Sequence, residues 1–168
     1  MAIFFRALRL LAMTTWVGGI GFFAFVEAQT AFRLMGATSL FAQLIGESLS
    51  KLNVMGNTCG FLFLIATIAL WFRTDPRGRR LLPAEFLIVI AMMIATAVVQ
   101  HRILPAMERD RAAVGGDVDA APPSNPARLD FERLHPISEK VEGTALFLGV
   151  AVIVLVAAER GNNRAQAV

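Results

Sequence analysis

Apolar residues along this chain gather into four long runs, at about residues 8–26, 54–72, 81–99 and 141–158. A helix rising 1.5 Å per residue needs about 20 apolar residues to cross the hydrocarbon core of a bilayer. Each run approaches or meets that length. The pattern predicts an all-α integral membrane protein, a single four-transmembrane-helix bundle spanning residues 1–168.

The segments between the runs carry patterns of their own. After Gly36-Ala37-Thr38-Ser39, a turn and helix cap, the apolar residues are Leu40, Phe41, Leu44, Ile45, Leu49 and Leu52. Their spacing marks one helix face, with Gln43, Glu47, Ser50 and Lys51 opposite and Glu47 set four residues before Lys51. An amphipathic helix is therefore predicted over residues 39–52, at the membrane interface or against the bundle. Residues 112–128 have the Gly, Pro and Asp content of a flexible loop. Arg102-Ile103-Leu104-Pro105 closes the third helix. The fourth is predicted to start near Pro136, whose missing N–H costs nothing in a first turn, with Glu139 near the positive end of the helix dipole.

Composition agrees with membrane placement. Hydrophobic residues make up 56% of the chain and charged residues 17%, below the roughly 25% of a soluble domain; mean hydropathy is +0.60. The pI near 10.0 does not point to nucleic acid, because the arginines flank the apolar runs and no basic stripe interleaves with aromatics. The lipid bilayer is the partner implied. Arg6 and Arg9, the crowded loop from Arg73 through Arg77 and Arg79 to Arg80, and Arg160 and Arg164 share one side of a four-span topology. Short basic loops face the cytoplasm, so both termini are expected there, in a bacterial inner membrane. The first run is longer than a signal-peptide core and carries Trp16, so a retained helix is expected. Cys59 is the single cysteine, which excludes an intrachain disulfide.

Candidate chemistry is sparse. Gly18, Gly19 and Gly21 beside Trp16, and the Gly56/Gly60 pair, predict close helix packing. Asn57, Thr14, Thr15, Thr58 and Thr96 can hydrogen-bond within their own helices. Glu142 lies on one polar face with His135, Ser138 and Glu139. Glu85 is expected to snorkel toward the arginine-rich loop. His101 and His135, the two histidines, fall on the same side of the membrane and are candidate haem or copper ligands, with Met55 and Cys59 as soft donors. No close ligand spacing, nucleophile elbow or phosphate-binding loop occurs, so no cofactor and no catalytic residue is predicted.

The order of these features resembles the transmembrane protein 205-like family. The likeness rests on the tryptophan-glycine span, Phe32-Arg33, Leu49-Ser50-Lys51-Leu52, His101-Arg102-Ile103-Leu104-Pro105 and, most specifically, Phe131-Glu132-Arg133-Leu134-His135-Pro136-Ile137-Ser138. Gln29 stands where that family usually has proline, and Glu142 where asparagine is frequent. The first helix is more distantly similar to copper resistance protein D-like bundles. The resemblance implies a four-helix membrane bundle of a domain-of-unknown-function family. The expected function is a non-enzymatic transport or permeability factor, or an accessory subunit of a homo-oligomer or membrane complex. A haem- or copper-binding redox protein using His101 and His135 is the alternative. The expected site is a polar cluster of Arg33, His101, Arg102, Phe131, Arg133, His135, Ser138 and Glu142, in which Arg133 and His135 hold the third loop against the bundle.

Overall fold

A computed structural model describes residues 1–36, 38–74 and 79–165, the side chains of 160–165 excepted. Ala37 of the predicted turn and Arg77 of the basic loop lie outside the described residues, as do the side chains of Arg160 and Arg164. The described chain is entirely helical apart from its connections. Four long helices run α1 (Ala2–Met35), α2 (Ser39–Trp71), α3 (Leu82–Ala113) and α4 (Pro126–Ala165). All four are long and apolar enough to cross a membrane. They form a ring in which α1 packs on α2 and α4, and α3 packs on α2 and α4.

The helices outrun the apolar segments that predicted them, at 32 to 34 residues over their spanning portions. That is roughly 50 Å against a hydrocarbon core of about 30 Å. The chain alternates direction, so the excess of all four helices collects at the end opposite the termini. There α1 continues to Met35, α2 begins at Ser39, α3 reaches Ala113 and α4 starts at Pro126. A helical cap therefore stands beyond the apolar belt at that end.

Local chemistry sets these boundaries. Gly36, at φ +64°, turns the chain out of α1, and Thr38 caps α2 by accepting the Phe41 N–H at 3.2 Å. The amphipathic residues 39–52 are present as the opening turns of α2 and run unbroken into its span. Glu47 and Lys51 are both exposed there and form no ion pair among the described residues. The start of α4 differs from expectation by ten residues: Pro126, not Pro136, occupies its first turn, and Asn125 Oδ1 accepts the Ala127 N–H at 2.9 Å. Pro136 consequently lies inside the helix, and Glu139 pairs with His135 at 3.3 Å on its exposed surface instead of meeting a helix terminus.

The core follows from membrane packing, where small residues admit close backbone approach. Trp16 is 1% exposed and lies against the bare backbones of Gly56 and Gly60. A Cβ at Gly56 would collide with the indole, and one at Gly60 would sit 2.6 Å from Met93. Gly19 similarly receives Leu52 and Met55, to which an added Cβ would stand only 2.8 and 2.6 Å away. Gly18 and Gly21 border open space, so they contribute no such contact. Gly149 of α4 adds a contact that the run pattern does not predict: it accommodates Val17 across the interface.

Candidate functional site

Two polar features interrupt this apolar interior, one near each end. Near the chain termini, the Arg9 side chain is fully buried and crosses the ring. It pairs with Glu85 on the diagonally opposite α3, and its Nη1 donates to Glu159 Oε2 of α4 at 3.0 Å. Its guanidinium carbon also lies 4.8 Å from the ring centroid of Phe63 on α2. One side chain thereby joins all four helices. Arg9 Nε, Glu85 Oε1 and Glu159 Oε1 are buried without a hydrogen-bond partner among the described residues.

This triad corrects the expectation that Glu85 snorkels and that Arg9 merely flanks the first span. Glu85 is 0% exposed. Its position in the first turn of α3 also places it near the positive helix end. A readable signal existed in the helix phase. Arg9 continues the buried stripe of Ala12, Met13, Trp16 and Ile20, Glu85 that of Val89 and Met92, and Glu159 that of Val152 and Val156. Charged residues in phase with a core stripe point inward.

At the other end, a cavity of about 390 Å³ opens among α2, α3 and α4. Glu47, Ser50, Gln100, Arg111, His135 and Ser138 contribute to its wall. Gln100 Nε2 donates to Ser50 Oγ at 2.8 Å, tying α3 to α2. Gln100 belongs to a π-helical turn, residues Val99–Ile103. Such turns insert a residue into the helix and recur at functional positions.

Below this hydrogen bond lies a buried polar layer. Asn53 is one turn deeper than Ser50, Thr96 one turn deeper than Gln100, and Glu142 one turn deeper than Ser138. Asn53 and Thr96 are each 1% exposed. Asn53 Nδ2, Thr96 Oγ1, Gln100 Oε1 and Glu142 Oε1 all lack a hydrogen-bond partner among the described residues. Thr14, Thr58 and Asn57 instead satisfy themselves on carbonyls of their own helices, at 2.8 to 3.0 Å. Unpaired polar atoms in an interior are costly, so four of them within a turn or so of the cavity-lining residues Ser50, Gln100 and Ser138 mark a stretch of the bundle suited to something polar.

The sequence-predicted site residues divide between this cavity and the outer surface. His135 lines the cavity and stacks on Phe131 at a centroid distance of 5.9 Å, and the Arg111 guanidinium lies 5.5 Å from the centroid of that same Phe131 ring. Ser138 is buried at the cavity wall. Glu142 contributes to the layer beneath. Arg33, His101, Arg102 and Arg133 are exposed. The third loop is fastened by Arg128, not by Arg133 and His135. Arg128 donates to the Asp119 and Ala121 carbonyls at 3.0 and 2.7 Å and to Glu132 at 2.7 Å. Its position nearer the loop explains the difference: Arg133 lies on the next turns of α4 and is directed outward. Among the described residues no group of three or more His, Cys, Asp and Glu side chains comes together as a metal site.

A family model described as Domain of unknown function (DUF4149) matches residues 11–113, from the second turn of the first span's apolar run to the end of α3. No curated protein and no solved structure matches the chain.

Proposed function

The chain belongs to the DUF4149 family, a domain of unknown function, and from that premise we propose that it is a non-enzymatic membrane protein that admits small polar solutes into its bundle. The observation that carries this reading is the set of buried, unpaired polar atoms on Asn53, Thr96, Gln100 and Glu142, together with an open cavity that Gln100 also lines. Polar groups facing a bundle interior cost energy in a membrane and characteristically line solute or ion paths. The Arg9–Glu85–Glu159 triad would serve as the closed end of that path, since it draws all four helices together around one cation.

The same reading extends to setting and kinship. Arg6, Arg73, Arg79 and Arg80 beside the triad end favour cytoplasmic termini in a bacterial inner membrane, which makes the cavity extracytoplasmic. Likeness to the transmembrane protein 205-like family rests most specifically on the string Phe131–Ser138, beyond the matched residues, and brings no activity of its own. An accessory membrane subunit is the other form of this non-enzymatic reading, and haem or copper binding is its alternative. Haem or copper binding through His101 and His135 gains no support from two exposed side chains.

Flux into proteoliposomes tests the proposal. Purified protein should accelerate entry of small neutral and cationic solutes relative to protein-free vesicles. Gly46→Phe should suppress it, because Gly46 lines the cavity and its Cβ direction is open. Equal permeability of vesicles with and without protein would overturn the reading.

A further inference from the structure

The polar layer has a specific donor chemistry that names a ligand class. Thr96 Oγ1, Gln100 Oε1 and Glu142 Oε1 are oxygen atoms, each buried and without a hydrogen-bond partner among the described residues. Ser50 Oγ accepts from Gln100 at 2.8 Å and retains a further lone pair. Asn53 is 1% exposed, but its unpaired atom is the amide Nδ2, a donor that adds no oxygen to the set. Hydroxyl, amide and carboxylate oxygens are hard ligands that suit hard cations, alkali and alkaline-earth ions alike, and not the soft metals favoured by thiolates. Among the described residues no cation lies within ion-pairing distance of Glu142. The ion pairs present are those of Arg9, Arg111, Arg128 and His135 with other carboxylates. Glu142 thus brings one formal negative charge without an ion pair, and Thr96, Gln100 and Ser50 bring neutral oxygens.

We propose that Thr96, Gln100 and Glu142, with Ser50, form a binding site for a single small alkali cation, sodium in the first instance. This rests on the reading of the cavity as solute-accessible, since the ion must enter past Gln100 and Ser138. One carboxylate balances one monovalent charge. A divalent ion would leave the site with excess positive charge in a low-dielectric setting. The π-helical turn at Val99–Ile103 carries Gln100, and such turns recur at functional positions. Glu47 on the cavity wall, exposed and without an ion pair among the described residues, adds negative potential along the route.

The test uses the full-length protein in detergent micelles, with the thermal unfolding midpoint followed in sodium chloride and in choline chloride at equal ionic strength. A ligand that binds only the folded state raises stability in a saturable, concentration-dependent way. Sodium should raise the midpoint saturably and choline should not. Glu142→Gln should abolish the response. Thr96→Val, which removes one oxygen at nearly constant shape, should shift the half-saturating sodium concentration upward by about tenfold, the equivalent of one lost ligand of roughly 1.4 kcal/mol; it keeps the question answerable if Glu142→Gln fails to fold. Identical midpoints in the two salts, a sodium response untouched in both variants, or stabilisation by magnesium in place of sodium would each overturn the site. Sodium-independent stability with retained neutral-solute flux removes the cation and leaves the permeability reading standing; a sodium response without any flux does the reverse.

Discussion

Replacing Arg9 by glutamine should be among the most damaging single changes the bundle can suffer, and its partners should show why. Glu85 is 0% exposed and Glu159 8% exposed, so removing the guanidinium leaves two carboxylates buried together without a cation. Breaking a buried pair by deleting one partner costs about 3–5 kcal/mol, and the contact with the Phe63 ring at 4.8 Å is lost as well. Glu159→Gln is a different perturbation. It leaves Arg9 and Glu85 as a one-to-one pair and weakens a single charge-assisted hydrogen bond of 3.0 Å; removal of the surplus negative charge offsets part of that loss. Its cost should stay below about 2 kcal/mol. Unfolding in mixed micelles with increasing denaturing detergent, followed by tryptophan fluorescence, reads both; Trp16 is buried two turns from Arg9 and reports on the core. Arg9→Gln combined with Glu85→Gln should recover stability relative to the sum of the single changes, with a coupling of at least about 1.5 kcal/mol. A cost for Arg9→Gln under about 1 kcal/mol, or strict additivity of the pair, would refute the description of Arg9 as the tie across the ring.

Other expectations follow from packing and loop geometry. Gly56→Ala should destabilise by about 1–3 kcal/mol, because its new methyl meets the Trp16 indole. Gly18→Ala, facing open space, should be neutral or stabilising by up to about 1 kcal/mol through helix propensity. The same detergent-unfolding assay separates the two. Arg128→Ala should expose residues 114–125 to limited proteolysis by releasing the Asp119 and Ala121 carbonyls, whereas Arg133→Ala should leave the cleavage rate unchanged within about twofold.

The four helices were legible because a bilayer accepts a spanning segment only when it is apolar and internally hydrogen-bonded. Hydropathy is a local property, and residues 8–26 or 81–99 disclose it without reference to any other part of the chain. Helix ends were less legible. Pro126 and Pro136 are both plausible first-turn residues, and what decides between them is the Asn125 cap together with the packing of Phe131, Leu134 and Val141 on Val99, Ile103 and Met107. The triad was missed for a related reason. Arg9 and Glu85 each stand at the edge of an apolar run, where charges usually reach water, and their meeting joins diagonally opposed helices that share no sequence spacing. Glu142 and Ser138 could be recognised as one polar helix face, but the atoms they face on α2 and α3 depend on the ring order. His101, Arg102 and Arg133 share an end of the bundle with the cavity yet are exposed, because proximity along the membrane normal says nothing about helix rotation.

Water must reach Ser138 through the cavity if solutes are to enter the bundle, and thiol labelling measures that access most directly. Ser138 is only 5% exposed yet lines the cavity wall. In a Cys59→Ala background, Ser138→Cys should react with a small, membrane-impermeant thiol reagent applied from the cavity side, and adding Gly46→Phe should slow that reaction at least tenfold. A Ser138→Cys thiol that stays inert in the folded protein, or that reacts equally fast with the cavity filled, would contradict solute entry by this route.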